Sequence, residues 1–94
     1  MATELHVELV AVEEKVFSGE VIEVLARTTV GEMGVLAHHA PLLGQLAEPG
    51  AVTLKFDDGT ETYYKVDGGF LSVTEDGVTI LAEACTPIDD PSAI

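Results

Sequence analysis

Between positions 31 and 42 the chain reads Gly31-Glu32-Met33-Gly34-Val35-Leu36-Ala37-His38-His39-Ala40-Pro41-Leu42, which gathers one carboxylate, two imidazoles, two glycines and a proline. Residues of these types can ligate a metal, transfer a proton or hold an unusual backbone shape. Adjacent residues of an extended chain point to opposite faces, so His38 and His39 do not readily chelate one ion together. His6 is the only other imidazole and Cys85 the sole thiol, whereas structural zinc wants four converging ligands. A small metalloenzyme built on His38 or His39 therefore lacks a third ligand. The expectation is one solvated ring and one that bonds a loop carbonyl or a partner. Glu32, between Gly31 and Gly34, would need a tuned pKa in a pocket and a second group nearby to act as a general base. On a glycine-flanked tip it is an exposed acid, and spacing alone leaves open whether it meets a partner or only water.

The remaining reactive types form no catalytic set. Gly31-x-x-Gly34 is followed by no lysine, so there is no phosphate cradle. Ser18, Ser72 and Ser92 occupy no nucleophile elbow, and Glu13-Glu14, Asp57-Asp58 and Asp89-Asp90 read as turn or surface acids rather than as a calcium loop. Cys85 ends the apolar run Val78-Thr79-Ile80-Leu81-Ala82 with no basic neighbour, so a buried, inert thiol is expected. The residues imply neither enzyme, cofactor nor resident metal.

The elements that must position these residues are strands. Leu5, Val7 and Leu9 alternate with His6 and Glu8, and Ile22, Val24 and Ala26 with Glu23 and Arg27. Val52, Leu54 and Phe56 repeat the pattern, followed by Thr62, Tyr64 and Val66, then Leu71 and Val73, then Val78 and Ile80. Asp57-Asp58-Gly59-Thr60 and Glu75-Asp76-Gly77 are hairpin signals, and Ser18-Gly19, Pro49-Gly50 and Gly68-Gly69 mark further turns or bulges. Turn signals at roughly 8–12-residue spacing predict an all-β sandwich or flattened barrel. On this reading Gly31 to Leu42 is a loop between strands, and Pro41 to Ala47 is the one stretch that could be helical. After Ala84 the period is lost, which divides the chain into a domain over 1–85 and a tail over 86–94.

The chain has 94 residues, 47% of them hydrophobic, enough for one domain with a modest core. With 17 acidic and 4 basic residues the formal net charge is −13, a surface that repels nucleic acid and anionic lipid; the acidity serves solubility first, and a basic protein partner would also be steered towards it. No run approaches the roughly 18–20 apolar residues needed to span a bilayer, and Met1-Ala2-Thr3-Glu4 lacks the order of a secretion signal. A bacterial cytoplasmic location is the default.

Six motifs occur in a characteristic order: Phe17-Ser18-Gly19, Gly31-Glu32-Met33-Gly34, His39-Ala40-Pro41-Leu42-Leu43, Pro49-Gly50, Gly68-Gly69-Phe70-Leu71-Ser72-Val73 and Gly77-Val78-Thr79-Ile80-Leu81-Ala82. In this order, covering residues 3–84, they resemble the amino-terminal β-domain of the epsilon subunit of F-type ATP synthases, and Thr28-Thr29-Val30-Gly31-Glu32 looks most like actinobacterial members. The resemblance implies a flattened β-sandwich of about ten short strands in the central stalk. It implies a non-catalytic subunit that docks on the gamma subunit and the c-ring and couples rotation to ATP synthesis. The subunit would be peripheral on the cytoplasmic face of the bacterial cell membrane and touch it only through the complex. Positions matching the family's c-ring contacts are Thr29, Val30, Gly31 and Glu32; those matching its gamma contacts are Ala11, His39 and Gly44. The alternative is an unrelated β-sandwich module that binds protein or carbohydrate, for which the aromatic residues are too dispersed to form a platform.

Most members of that family continue into a carboxyl-terminal pair of helices that can inhibit hydrolysis and, in some, bind ATP. Ile88-Asp89-Asp90-Pro91-Ser92-Ala93 resembles the family's Ile-Asp-x-x-Arg-Ala motif at the first of these helices, with Ser92 in place of arginine. The expectations are no carboxyl-terminal helical domain, no ATP binding, and helix-based inhibition that is absent or residual.

Overall fold

A computed structural model of the chain describes residues 4–12, 14–37, 40–48, 50–75 and 77–89, and every described element is a strand. The strands are β1 (Leu5–Ala11), β2 (Glu14–Val21), β3 (Glu23–Thr28), β4 (Gly31–Leu36), β5 (Leu42–Gln45), β6 (Gly50–Lys55), β7 (Glu61–Thr74) and β8 (Gly77–Ile88). They form one sheet in the order β2-β1-β8-β7-β6-β3-β4, with β5 added beside β7.

Two long strands turn this sheet into a sandwich. Residues 61–67 of β7 pair with β6 and with the far end of β8; residues 69–74 pair with β5 and with the start of β8. One layer is therefore β2, β1, the first half of β8, the second half of β7, and β5. The other is the second half of β8, the first half of β7, β6, β3 and β4. Counting the halves of β7 and β8 separately turns the eight continuous strands into the expected ten short ones. The bend falls at Gly68 and Gly69, with φ of +65° and +115°. A Cβ on Gly69 would lie 1.9 Å from the Leu81 carbonyl oxygen, so the crossing of the two layers requires glycine. The strand order has two ends, β2 and β4, and among the described residues β5 and β3 are joined by only the isolated bridge Thr28–Leu46. The fold is a sandwich rather than a closed barrel.

The inward alternation is as expected. Val7 and Leu9 of β1, Val24 and Ala26 of β3, Val66 and Leu71 of β7, and Ile80 of β8 have no exposed surface, each large side chain contributing about 1.5–3 kcal/mol by leaving water. Strand β6 breaks the pattern: Val52, Thr53 and Leu54 are all buried. It lies between β3 and β7, and Leu25 and Tyr63 flank Thr53 on the outer face.

Four local expectations are corrected. Residues Gly31 to Leu36 are not loop but strand β4, paired with β3 from Thr28–Gly31 to Glu23–Leu36. The stretch that could be helical is strand β5, because pairing four residues with β7 outweighs a helix too short to repay its nucleation. Ser18-Gly19 lies inside β2; the bulge comes just before, where Leu9 faces Phe17 and Val10 faces Lys15, leaving Val16 as the extra residue. Gly19 makes room for the Phe17 ring, which meets Phe56 edge-on at 5.8 Å. Finally, β8 runs past Ala84 to Ile88, where Thr86, Pro87 and Ile88 pair with Lys65, Tyr64 and Tyr63. The Asp57–Thr60 turn is as expected: Asp58 Oδ1 accepts from the Thr60 N–H at 2.9 Å and from its hydroxyl at 2.6 Å.

Candidate functional site

The β3–β4 hairpin carries the first group of candidate residues. Its turn is closed by the buried Thr28, whose hydroxyl donates to the Gly31 carbonyl at 2.6 Å and accepts from the Val30 N–H at 3.3 Å. Gly31 completes the turn at φ +124° with open space around it. Val30 is thrust outward and is 97% exposed. Glu32 is exposed and faces Arg27 across the hairpin as its pairing partner. The tip thus presents an apolar methyl pair flanked by a carboxylate and a guanidinium, a surface suited to contact rather than catalysis.

The second group is only partly assembled. Ala11 ends β1, half-buried; Gly44 lies in β5, where an added Cβ would be 3.8 Å from Thr28 Cγ2. The Thr29 N–H donates to the Gln45 carbonyl at 3.0 Å and ties the hairpin to β5. Ala11, Thr29, Gln45, Leu46, Phe70 and Leu81 line one open depression of about 720 Å³. Thr29 and Ala11, assigned to different partners by the resemblance, therefore border the same hollow. His38 and His39 lie outside the described residues.

Sequence reasoning missed the apolar surface beside this hollow. Val10, Leu81, Phe70 and Gln45 form one cross-strand row over β1, β8, β7 and β5. Phe70 and Leu81 are each about half exposed, at 52% and 53%, and Leu43 and Val12 are more so. The signal was present in Phe70-Leu71 and Ile80-Leu81, consecutive large apolar residues that give a strand two greasy faces. One face of each pair enters the core; the other remains outside, as at docking surfaces. Glu48 and Glu83 edge the hollow with negative charge.

Burial pushes the Cys85 thiol up to about 11, with the Glu14 charge adding to the effect. Among the described residues no group of three or more His, Cys, Asp or Glu side chains is placed to hold a metal ion.

The geometry defines an open β-sandwich domain that presents a projecting hairpin and an exposed apolar face. Residues 4–88 match the family described as ATP synthase, Delta/Epsilon chain, beta-sandwich domain, and the chain belongs to that family. It is 47% identical over 93 residues to the ATP synthase epsilon chain of Mycobacterium avium, covering 96% of this chain and 77% of that protein. It is 51% identical over 87 residues to the epsilon chain of Rhodococcus jostii, covering 93% of this chain and 71% of that one. A chain of the Euglena gracilis mitochondrial ATP synthase, solved with its c-ring, superposes with a TM-score of 0.84 at 31% identity over 92% of this chain and 56% of its own. Epsilon chains are non-catalytic subunits of the rotary enzyme, and this chain shares their family and fold.

Proposed function

We propose that this chain works in the central stalk of an F-type proton-translocating ATP synthase, docking on gamma and on the c-ring so that ring rotation is passed to the catalytic head. The observation that carries the reading is the β3–β4 hairpin, whose tip residue Val30 is 97% exposed on a rigidly closed turn. The similarity to a chain solved together with a c-ring supports it.

Thr29, Val30, Gly31 and Glu32 are assigned to the polar loops of the ring. Gly31 brings the backbone close, and Glu32 accepts charge-assisted hydrogen bonds from the partner. Ala11 and Gly44 are assigned to gamma, together with the apolar row at Phe70 and Leu81 that adjoins Ala11; His39 keeps its assignment from the family motif alone. The site of action is the cytoplasmic face of the bacterial cell membrane, reached through the complex. No described helix is long and apolar enough to cross a membrane.

Co-purification with gamma tests the apolar assignment. The Phe70→Asp variant should fold, because its side chain lies half in solvent, and should lose gamma at least tenfold in affinity, as expected for a charge placed in a desolvated contact of about 1.4 kcal/mol or more. Undiminished capture of gamma by that variant would remove the face from the interface.

A further inference from the structure

His6 stands on the outer face of β1 with a carboxylate at each side of its ring. Its Nδ1 lies 2.6 Å from Glu20 Oε2 and its Nε2 2.6 Å from Glu8 Oε2. Carboxylate oxygens only accept, so both contacts are hydrogen bonds when both ring nitrogens carry protons. Glu20 is the direct cross-strand partner of His6 on β2, and Glu8 is the next residue of β1 on the same face. Glu8 is held in turn by the Lys15 ammonium, 2.8 Å from Oε1, and by the Ser18 hydroxyl, which donates to Oε2.

The β2 bulge makes this network possible. With unbroken register Val10 would face Val16, and Lys15 would fall on the core side. The extra residue at Val16 turns Val16 toward the core and Lys15 outward to Glu8. The other charged groups around His6 are anionic: Glu4 and Glu75 line the same recess as His6 and Glu20. Alongside, β8 offers only the uncharged Gly77 and Thr79. Strand β2 is an end strand whose one strand partner among the described residues is β1, so these side chains span the described strand-to-strand seam that complements its packing through Val16, Phe17 and Val21.

We propose that charged His6 is a pH-operated clasp that fastens edge strand β2 to β1 through Glu20 and the Glu8–Lys15–Ser18 group. The bonds to Glu20 and then Glu8 hold the His6 pKa above its usual 6.5, so its stabilising effect is complete below 6.5 and is lost as pH rises through the raised value. Lys15 and then Ser18 pull Glu8 from 4.5 down to about 2, so its effect is complete above 4.5 and lost as pH falls through about 2. Both halves are engaged between 4.5 and 6.5. Alkalinisation opens the His6 half alone, leaving Lys15 and Ser18 on Glu8.

Amide hydrogen exchange on the full chain, followed by NMR from about pH 6 to about pH 9 and corrected for intrinsic exchange rates, tests the clasp. Protection of the β2 amides bonded to β1 should fall severalfold across this range while β6 amides hold theirs. His6→Gln should show low, pH-independent β2 protection, and Glu20→Gln a smaller fall that comes at lower pH. The proposal is overturned if wild-type β2 protection is flat with pH, if His6→Gln keeps the wild-type profile, or if β2 and β6 lose protection together.

Discussion

Arg27 and Glu32 face each other on the hairpin that ends in Val30, while Cys85 lies half-buried on β8. These residues divide the chemistry of the molecule into contact and silence. The thiol is raised from 9.0 to about 11, so burial leaves roughly 100-fold less thiolate at neutral pH than in an unperturbed cysteine. Iodoacetamide should alkylate Cys85 in the folded chain slower by about that factor than after denaturation, measured by mass spectrometry. Equal rates would show an accessible, ordinary thiol. Side-chain types, and the thiol of Cys85 as a half-buried group, were legible in the sequence. The His6–Glu20 contact was not, because its partners are 14 positions apart, and the turning of Lys15 toward Glu8 depends on a bulge that no residue type announces.

At the scale of elements, the inward faces of β1, β3, β7 and β8 were legible from period two, as was the Asp57–Thr60 turn. Strand β4 was not, since Gly31-Glu32-Met33-Gly34 has little strand propensity and is held extended by its ladder to β3. Strand β5 likewise owes its form to β7. The glycine pair at 68 and 69 was readable as a break, but not as the bend by which two strands serve both layers. This role gives a sharp prediction. Gly69→Ala forces a Cβ against the Leu81 carbonyl at φ +115°, and should lower the unfolding free energy by about 3 kcal/mol or more, backbone strain adding to a clash the crossing strand cannot relieve. Gly59→Ala, with φ +92° but nothing within 4 Å, should cost about 1–2 kcal/mol. Urea denaturation of both variants checks the order; an equal or reversed loss would show that the layers do not depend on close approach at Gly69.

For the whole molecule, the sandwich holds a projecting tip and an apolar face at fixed positions on one rigid core. The hydrogen bond from Thr29 to Gln45 links the hairpin to β5, which borders the apolar row. A body of net charge −13 with acidic residues around an apolar hollow favours partners that are apolar at the centre and basic at the rim. The expectation of a chain without carboxyl-terminal helices concerns residues that the structure does not describe beyond Asp89, and relatives such as the Mycobacterium avium epsilon chain are longer, this chain covering 77% of that protein. The role proposed for the hairpin tip is to transmit torque without doing chemistry. Its most direct test is proton pumping per ATP hydrolysed in membrane vesicles carrying the assembled synthase with Glu32→Lys in this chain. The tip assignment predicts that hydrolysis continues, the chain stays folded and bound to gamma, and pumping per ATP falls severalfold. Wild-type pumping per ATP in that variant would contradict it.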